Sequence, residues 1–250
     1  AVLLSAVPMV IRNYPDIADV RALISLLQIL GVQVTRQDTH TYHFDASCVD
    51  TKAVDIKKLK GSAARLRGSI MIVGPLLARF GYARLVKPGG DRIGRRRLDT
   101  HFLGMHKLGA STKYDASHGV YTFAAAKRLQ GTYILLDEAS VTGTANIIMA
   151  ASLAQGTTTI YNAACEPYIQ QLCHMLMHMG ANIEGIGSNL LTIHGAERLH
   201  GTTHTIMPDV IEVGSFIGLA AMTQADLVIK HTHQAQLLPI VEPFRRIGVQ

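Results

Sequence analysis

The chain is expected to adopt an α/β fold assembled from copies of one βα unit about a pseudo-threefold axis. Two recurrent spacings and one recurrent dipeptide carry that expectation. Leu30-Gly31-Val32, Leu108-Gly109-Ala110, Met179-Gly180-Ala181 and Ile247-Gly248-Val249 each close a helical pattern and open an extended one, with glycines 78, 71 and 68 residues apart. A second series places Gly61, Gly131 and Gly201 behind basic, leucine-containing segments, 70 residues apart both times. Gly68-Ser69, Gly143-Thr144 and Gly214-Ser215 each open an apolar helical run. A period of about 70 is longer than that of the common helical solenoids, which leaves a few large units rather than a long array.

Each unit reads as helix, glycine turn, short strands, helix, strand. Helices are expected at Ala18–Leu30, Asp99–Leu108, Glu166–Met179 and near Leu238–Ile247, and apolar helical runs at Ile70–Leu77, Ile147–Leu153 and Phe216–Met222. The glycine after the last apolar residue is the usual C-terminal stop, because a left-handed residue there strains any side chain with a Cβ. Small residues at the starts of the apolar runs predict close helix–helix approach. Tyr42-His43-Phe44, Val120-Tyr121-Thr122-Phe123 and Leu190-Leu191-Thr192-Ile193 are aromatic and β-branched and read as strands. Three copies are expected in residues 1–207, with a second domain beginning at 208. Both ends of the sequence read as interrupted, so residues 208–250 are taken as the start of a truncated second domain.

The segment from Lys87 to His101 is the most informative for chemistry. Pro88-Gly89-Gly90 breaks regular structure, and Gly94 adds a third permissive backbone position. Arg92, Arg95, Arg96 and Arg97 crowd around Asp91. Guanidinium groups bind phosphate and carboxylate through paired donors, so a small, multiply anionic ligand fits, as does a plain solvated basic turn. Arg67 precedes a helix start and suits either a structural carboxylate or a bound anion. Ser140-Val141-Thr142 takes the equivalent place one repeat later. Its hydroxyls read first as helix caps, and such a terminus also receives phosphate.

Hydrophobic residues make up 48% and charged residues 17%, with a net charge of +6, an ordinary folded composition with a bias toward anionic ligands. Nucleic acid would also suit that bias, but there is no Trp and the Tyr and Phe residues fall on strand patterns, so no nucleic-acid partner is expected. The longest mid-chain apolar stretch, Gly68–Ala78, is bounded by Arg67 and Arg79 and falls short of the roughly 20 residues of a membrane helix, so no membrane partner is expected. Cys48, Cys165 and Cys173 are too few and odd in number for a disulfide framework, which suggests a reducing compartment; they read as buried small apolar residues. His174 and His178 share metal-binding spacing but lack an acidic third ligand, and His231-Thr232-His233 reads as a strand, so no metal is expected. His101 and His106 follow the arginine-rich loop and read first as spectators, with lining of a site the alternative for His101.

Taken together, the segments around Leu66–Ile70, Gly74–Gly81, Pro88–His101, Ser140–Thr144, Ala154–Thr158, Asn162–Pro167, Met207–Asp209 and Glu212–Phe216 resemble the enolpyruvyl transferases, in the branch that acts on UDP-N-acetylglucosamine. The likeness covers essentially the whole chain in order. It implies an inside-out α/β barrel of pseudo-threefold βα repeats with the helices inside, and substrates bound between two domains. The implied reaction moves the enolpyruvyl group of phosphoenolpyruvate to the 3-hydroxyl of UDP-N-acetylglucosamine and releases phosphate, a cytoplasmic step of peptidoglycan synthesis needing no redox cofactor.

By the same resemblance, Arg96 contacts phosphate-bearing substrate from the loop and Arg67 helps hold phosphoenolpyruvate. Arg97, Leu98, Asp99 and Thr100 cradle the uridine end, and Ser140, Val141 and Thr142 the diphosphate. Asp91 stands where the family's catalytic loop commonly has cysteine. C2 of phosphoenolpyruvate becomes electrophilic as C3 is protonated, so a general acid is needed there. An aspartate among arginines is ordinarily ionised, and Asp91 would need a closed, drier loop to serve. Glu138 replaces a frequent lysine, and Thr142 a glycine. The family's N-terminal Lys-Asn pair, second-domain aspartate and distal arginine have no counterpart in these 250 residues, so they alone are expected to be inactive. Without a thiolate at position 91, an enzyme carrying this loop should resist the epoxide fosfomycin, and Asp91→Cys should introduce time-dependent inactivation. Progressive loss of activity of the unsubstituted enzyme on preincubation would contradict this.

Overall fold

The computed structural model describes residues 1–52, 55–63, 66–89 and 97–249, and the chain divides into two compact units, Ala1–Thr205 and Ile206–Gln250. The larger unit opens with a short 3₁₀ turn at Val2–Leu4, then β1 (Met9–Arg12), α1 (Ala18–Ile29), β2 (Gln33–Arg36), β3 (Tyr42–Asp45) and α2 (Ile56–Ala63). A 3₁₀ turn at Arg67–Ile72 runs into α3 (Val73–Phe80). Next come β4 (Tyr82–Val86), α4 (Asp99–Lys107), β5 (Ser111–Asp115), β6 (Val120–Ala124), β7 (Tyr133–Leu135) and α5 (Val141–Ala151). The unit ends with β8 (Thr157–Tyr161), α6 (Pro167–His178), β9 (Asn182–Glu184), β10 (Leu190–His194) and β11 (Thr203–Thr205). The smaller unit holds α7 (Val210–Thr223) and α8 (Gln234–Arg246).

The repeat is visible as three small sheets. Each contains the same antiparallel trio: β1-β3-β2, β4-β6-β5 and β8-β10-β9. In every trio a helix (α1, α4 or α6) links the first strand to the hairpin. The helix-terminating glycines 31, 109 and 180 all adopt left-handed geometry, with φ of 95°, 97° and 100°. Two trios gain a fourth, parallel strand: β7 on β8, and β11 on β1 with Val10 opposite Thr203.

The sheets enclose helices. Every residue of α5 from Gly143 to Ala151 is buried, and so is α3 from Val73 to Leu77. A helix apolar on all sides has no solvent face and must lie inside. Contact is close because glycines face neighbours. A Cβ on Gly74 would overlap the backbone carbonyl of Asn146, and one on Gly104 would overlap the Ile147 side chain.

Among the polar residues buried in this interior, Asn146 has the most cross-helix partners. Asn146 is fully buried, and its Oδ1 accepts the Gly74 N–H at 2.8 Å while Nδ2 donates to the Ile70 carbonyl at 3.1 Å. Nδ2 also lies 3.1 Å from Nδ1 of His101, which is 3% exposed. Burial, with the Arg67 charge adding to it, pushes His101 down to about 4, so the ring is neutral at pH 7. Near the C-terminal ends of α3 and α5, backbone carbonyls of adjoining turns and loops are taken by arginines. Arg79 donates to Leu3, Ser5 and Ala46, and Arg128 to Leu153, Ala154 and Ala196, at 2.5–3.2 Å.

In the smaller unit Asp209 caps α7 through the N–H groups of Ile211 and Glu212, and Val210, Val213 and Leu237 form its core. Two expectations are corrected. His231–His233 is not a strand: His231 has a φ of 60°, which ends an extended run, and His233 is the N-cap of α8. Of the three cysteines only Cys173 is buried; Cys48 and Cys165 lie in exposed loops, where side-chain polarity did not decide placement.

Gly104→Ala should cost about 1–3 kcal/mol, because Ile147 must move within a filled core, and Gly74→Ala should cost more, because a backbone carbonyl cannot step aside. Urea unfolding of both variants ranks them, and equal losses would contradict the packing. For His101 the folded value lies below the ordinary 6.5, so the unfolded chain binds a proton that the folded chain refuses. Its contribution is complete above about 6.5 and fades as pH falls toward 4. Between pH 7 and pH 5 the chain should lose about 2 kcal/mol more stability than His101→Gln. Parallel pH profiles for the two proteins would rule this out.

Candidate functional site

The anion-binding residues expected from the sequence fall at the starts of helices. Arg67 begins the 3₁₀ turn before α3, Arg97 to Thr100 lead into α4, and Ser140 to Thr142 into α5. Asp91 and Arg96 lie outside the described residues. The structure brings the rest into one patch.

Contacts link the three starts directly. Arg67 Nη2 donates to the Arg97 carbonyl at 3.0 Å, tying the 3₁₀ turn to the approach to α4. Arg97 Nε pairs with the Asp99 carboxylate across two residues. The hydrogen bond and charge of Asp99, with Glu138 and Asp137 beyond it, hold the Arg97 guanidinium above its ordinary value, so it is a permanent cation. The Arg97 and Asp99 side chains are 63% and 59% exposed, so solvent screens the pair and it orients more than it stabilises. Thr100 Oγ1 donates to Glu138 at 3.2 Å, and its methyl lies 2.6 Å from where a Gly143 Cβ would sit. That glycine lets the starts of α4 and α5 meet.

The two helix starts are capped differently. Ser140 Oγ accepts the Gly143 N–H at 3.2 Å, the cap read from the sequence. Leu98, at the start of α4, has no side-chain cap, and its carbonyl accepts from His101 and Phe102 instead. First-turn N–H groups have no partner within their helix, and they carry partial positive charge. Val141 is half-buried and Thr142 exposed. Thr142 Oγ1 lies 3.3 Å from His101 Nε2. The loop 162–164 is held against α5, with the Ala164 N–H on the buried Thr144 Oγ1 at 3.0 Å. Two guanidiniums and two helix starts thus lie together, an arrangement whose chemistry suits anionic groups.

Sequence reasoning missed Asn146 and did not foresee the partners of His101 and Glu138. His101 read first as a spectator and is buried between Asn146 and Thr142. Asn146 went unremarked, although an amide in an otherwise small and aliphatic helix signals a need for buried partners. Glu138 gained a partner, Thr100, that only the fold reveals. His174 and His178 are exposed, and no group of three or more metal-ligating side chains occurs among the described residues. Among those residues no helix is long and apolar enough to cross a membrane. A cavity of about 650 Å³ lies elsewhere, at the C-terminal ends of α3 and α5, where Arg79 and Arg128 are already engaged by carbonyls.

The chain has many relatives among known proteins. UDP-N-acetylglucosamine 1-carboxyvinyltransferases from Bacteroides thetaiotaomicron, Porphyromonas gingivalis and Treponema pallidum are 58%, 55% and 47% identical to it across its whole length. The chain spans 57% of the length of each. Among solved structures, the enolpyruvyl transferase NikO from Streptomyces tendae superposes with a TM-score of 0.72 at 24% identity, over 86% of this chain and 50% of that one. EPSP synthase from Acinetobacter baumannii gives 0.68 at 18%, over 99% and 56%. At these identities the likeness shows a shared fold, the mixed α/β repeat architecture expected from the sequence. Residues 1–249 match the family of EPSP synthase (3-phosphoshikimate 1-carboxyvinyltransferase), and the chain belongs to that family of enolpyruvyl transferases.

Proposed function

We propose that the protein carrying this chain transfers the enolpyruvyl group of phosphoenolpyruvate to the 3-hydroxyl of UDP-N-acetylglucosamine, with release of phosphate. The observation that carries this reading is identity of 47–58% along the whole chain to relatives that bear that activity in their names. The charged patch at the helix starts supports it. Phosphoenolpyruvate brings a carboxylate and a phosphate, and the acceptor brings a diphosphate; fixed guanidiniums and helix N-termini neutralise such groups without reorganising.

In this reading Arg67 helps hold phosphoenolpyruvate, Arg96 contacts phosphate-bearing substrate, Arg97, Leu98, Asp99 and Thr100 receive the uridine end, and Ser140, Val141 and Thr142 the diphosphate. Asp91 delivers the proton to C3 as C2 becomes electrophilic. Residues 1–207 act as the substrate and catalytic-loop domain, and 208–250 belong to a second domain. The reaction is cytoplasmic and uses neither a redox cofactor nor a nucleic-acid or membrane partner. A second reading, transfer to shikimate 3-phosphate, is favoured only by the description of the matched family.

The protein from the complete reading frame should release phosphate from phosphoenolpyruvate with UDP-N-acetylglucosamine at least roughly a hundredfold faster than with shikimate 3-phosphate. Arg67→Ala should lower kcat/KM for phosphoenolpyruvate by roughly a hundredfold. Equal or greater turnover with shikimate 3-phosphate would replace the first reading by the second.

A further inference from the structure

We propose that His101 is a positioning residue that fixes the Thr142 hydroxyl as an outward donor, directed to the diphosphate of the nucleotide sugar. The inference rests on the acceptor substrate proposed above and adds a part to its site. It follows from the polarity of successive hydrogen bonds.

The Gly74 backbone N–H can only donate, so the Asn146 atom at 2.8 Å from it is the amide oxygen. The Ile70 carbonyl can only accept, so the atom 3.1 Å from it is the amide nitrogen. These two contacts agree on one orientation of the carboxamide. The nitrogen therefore turns a hydrogen toward His101 Nδ1, 3.1 Å away, and Nδ1 must offer a lone pair. A neutral ring with a lone pair on Nδ1 carries its hydrogen on Nε2. Burial and the nearby Arg67 charge keep this ring neutral. Nε2–H then donates to Thr142 Oγ1 at 3.3 Å.

A hydroxyl has one hydrogen and two lone pairs. With one lone pair occupied from the core side, the Thr142 hydrogen remains for an acceptor outside. Thr142 is exposed in the first turn of α5, and none of the hydrogen bonds among the described residues has its hydroxyl as donor. Its neighbour Ser140 is in the same state, because Oγ accepts the Gly143 N–H and keeps its own hydrogen. Two hydroxyl donors at one helix start suit a group with several acceptor oxygens and no hydrogens of its own, which describes a diphosphate. The buried amide thus sets a hydrogen's direction at the surface through one imidazole.

Calorimetric binding of UDP and of uridine to the complete enzyme, with steady-state kinetics beside it, tests the relay. Thr142→Val keeps the shape and removes the hydroxyl. It should weaken UDP about tenfold, leave uridine unchanged, and raise KM for UDP-N-acetylglucosamine about tenfold with kcat little altered. His101→Leu should weaken UDP similarly, and adding it to Thr142→Val should cost no further affinity, although its effect on melting temperature persists. His101→Gln, which can accept at one end and donate at the other, should recover part of the UDP affinity. Unchanged UDP affinity in Thr142→Val, or additive losses in the double variant, overturns the relay while leaving the proposed reaction standing. If the unsubstituted enzyme neither binds UDP nor turns over UDP-N-acetylglucosamine, the reading of the acceptor fails, and the relay fails with it. Should His101→Leu not fold, Thr142→Val alone decides.

Discussion

The larger unit depends on the hydrogen bonds made by one carboxamide. Asn146 is the point where α5, the turn before α3, and α4 are locked in register, through Gly74, Ile70 and His101. Apolar packing alone is nearly indifferent to small slides of one helix along another. A buried amide is not, since each partner lost leaves a desolvated group costing about 1–3 kcal/mol. The glycines at 74 and 104 make the constraint tight, because they bring backbones within reach of so short a side chain. The same lock places the starts of α4 and α5 side by side. Site geometry is therefore a by-product of core geometry.

A second consequence is an electrical polarity along the internal helices. Their starts share one end of the unit with Arg67 and Arg97, where partial positive charge from backbone N–H groups adds to the guanidiniums. Near their far ends, Arg79 and Arg128 are engaged by backbone carbonyls of adjoining turns and loops. The chain uses arginine for both purposes. In the reading proposed above, location separates a binding guanidinium from a structural one, and the arginines at the far end of the helices are already occupied by carbonyls.

Much of this organisation was readable beforehand, for definite reasons. Left-handed glycines at the helix ends tolerate no other residue cheaply, so Gly31, Gly109 and Gly180 marked the repeat through their spacing. Strand composition at Tyr42–Asp45, Val120–Ala124 and Leu190–His194 reflects the need to cover one face of a sheet. Gly143 announced close helix contact, and Thr100 proved to be what it admits. Other features depend on three-dimensional neighbours. His101 has an unremarkable local setting, and only the arrival of Asn146 and Thr142 from a helix about forty residues away defines its tautomer. The extended pattern of His231–His233 lost to a left-handed residue, a local outcome that side-chain alternation does not report. The arginine loop was legible by composition, but residues 90–96 lie outside the described part of the chain.

The pairing of β1 with β11 has a temporal side. These strands lie parallel, Val10 beside Thr203, though nearly the whole unit separates them along the chain. A nascent polypeptide leaving the ribosome exposes β1 first and meets its outer neighbour only once Thr205 has emerged. Until then that flank of the first sheet presents unpaired backbone groups, the kind of surface that recruits wrong partners. Contacts so distant in sequence also close slowly, because chain entropy must be lost before they form. The parallel pair that joins the two ends of the unit thus makes completion of the first sheet a late event in biosynthesis.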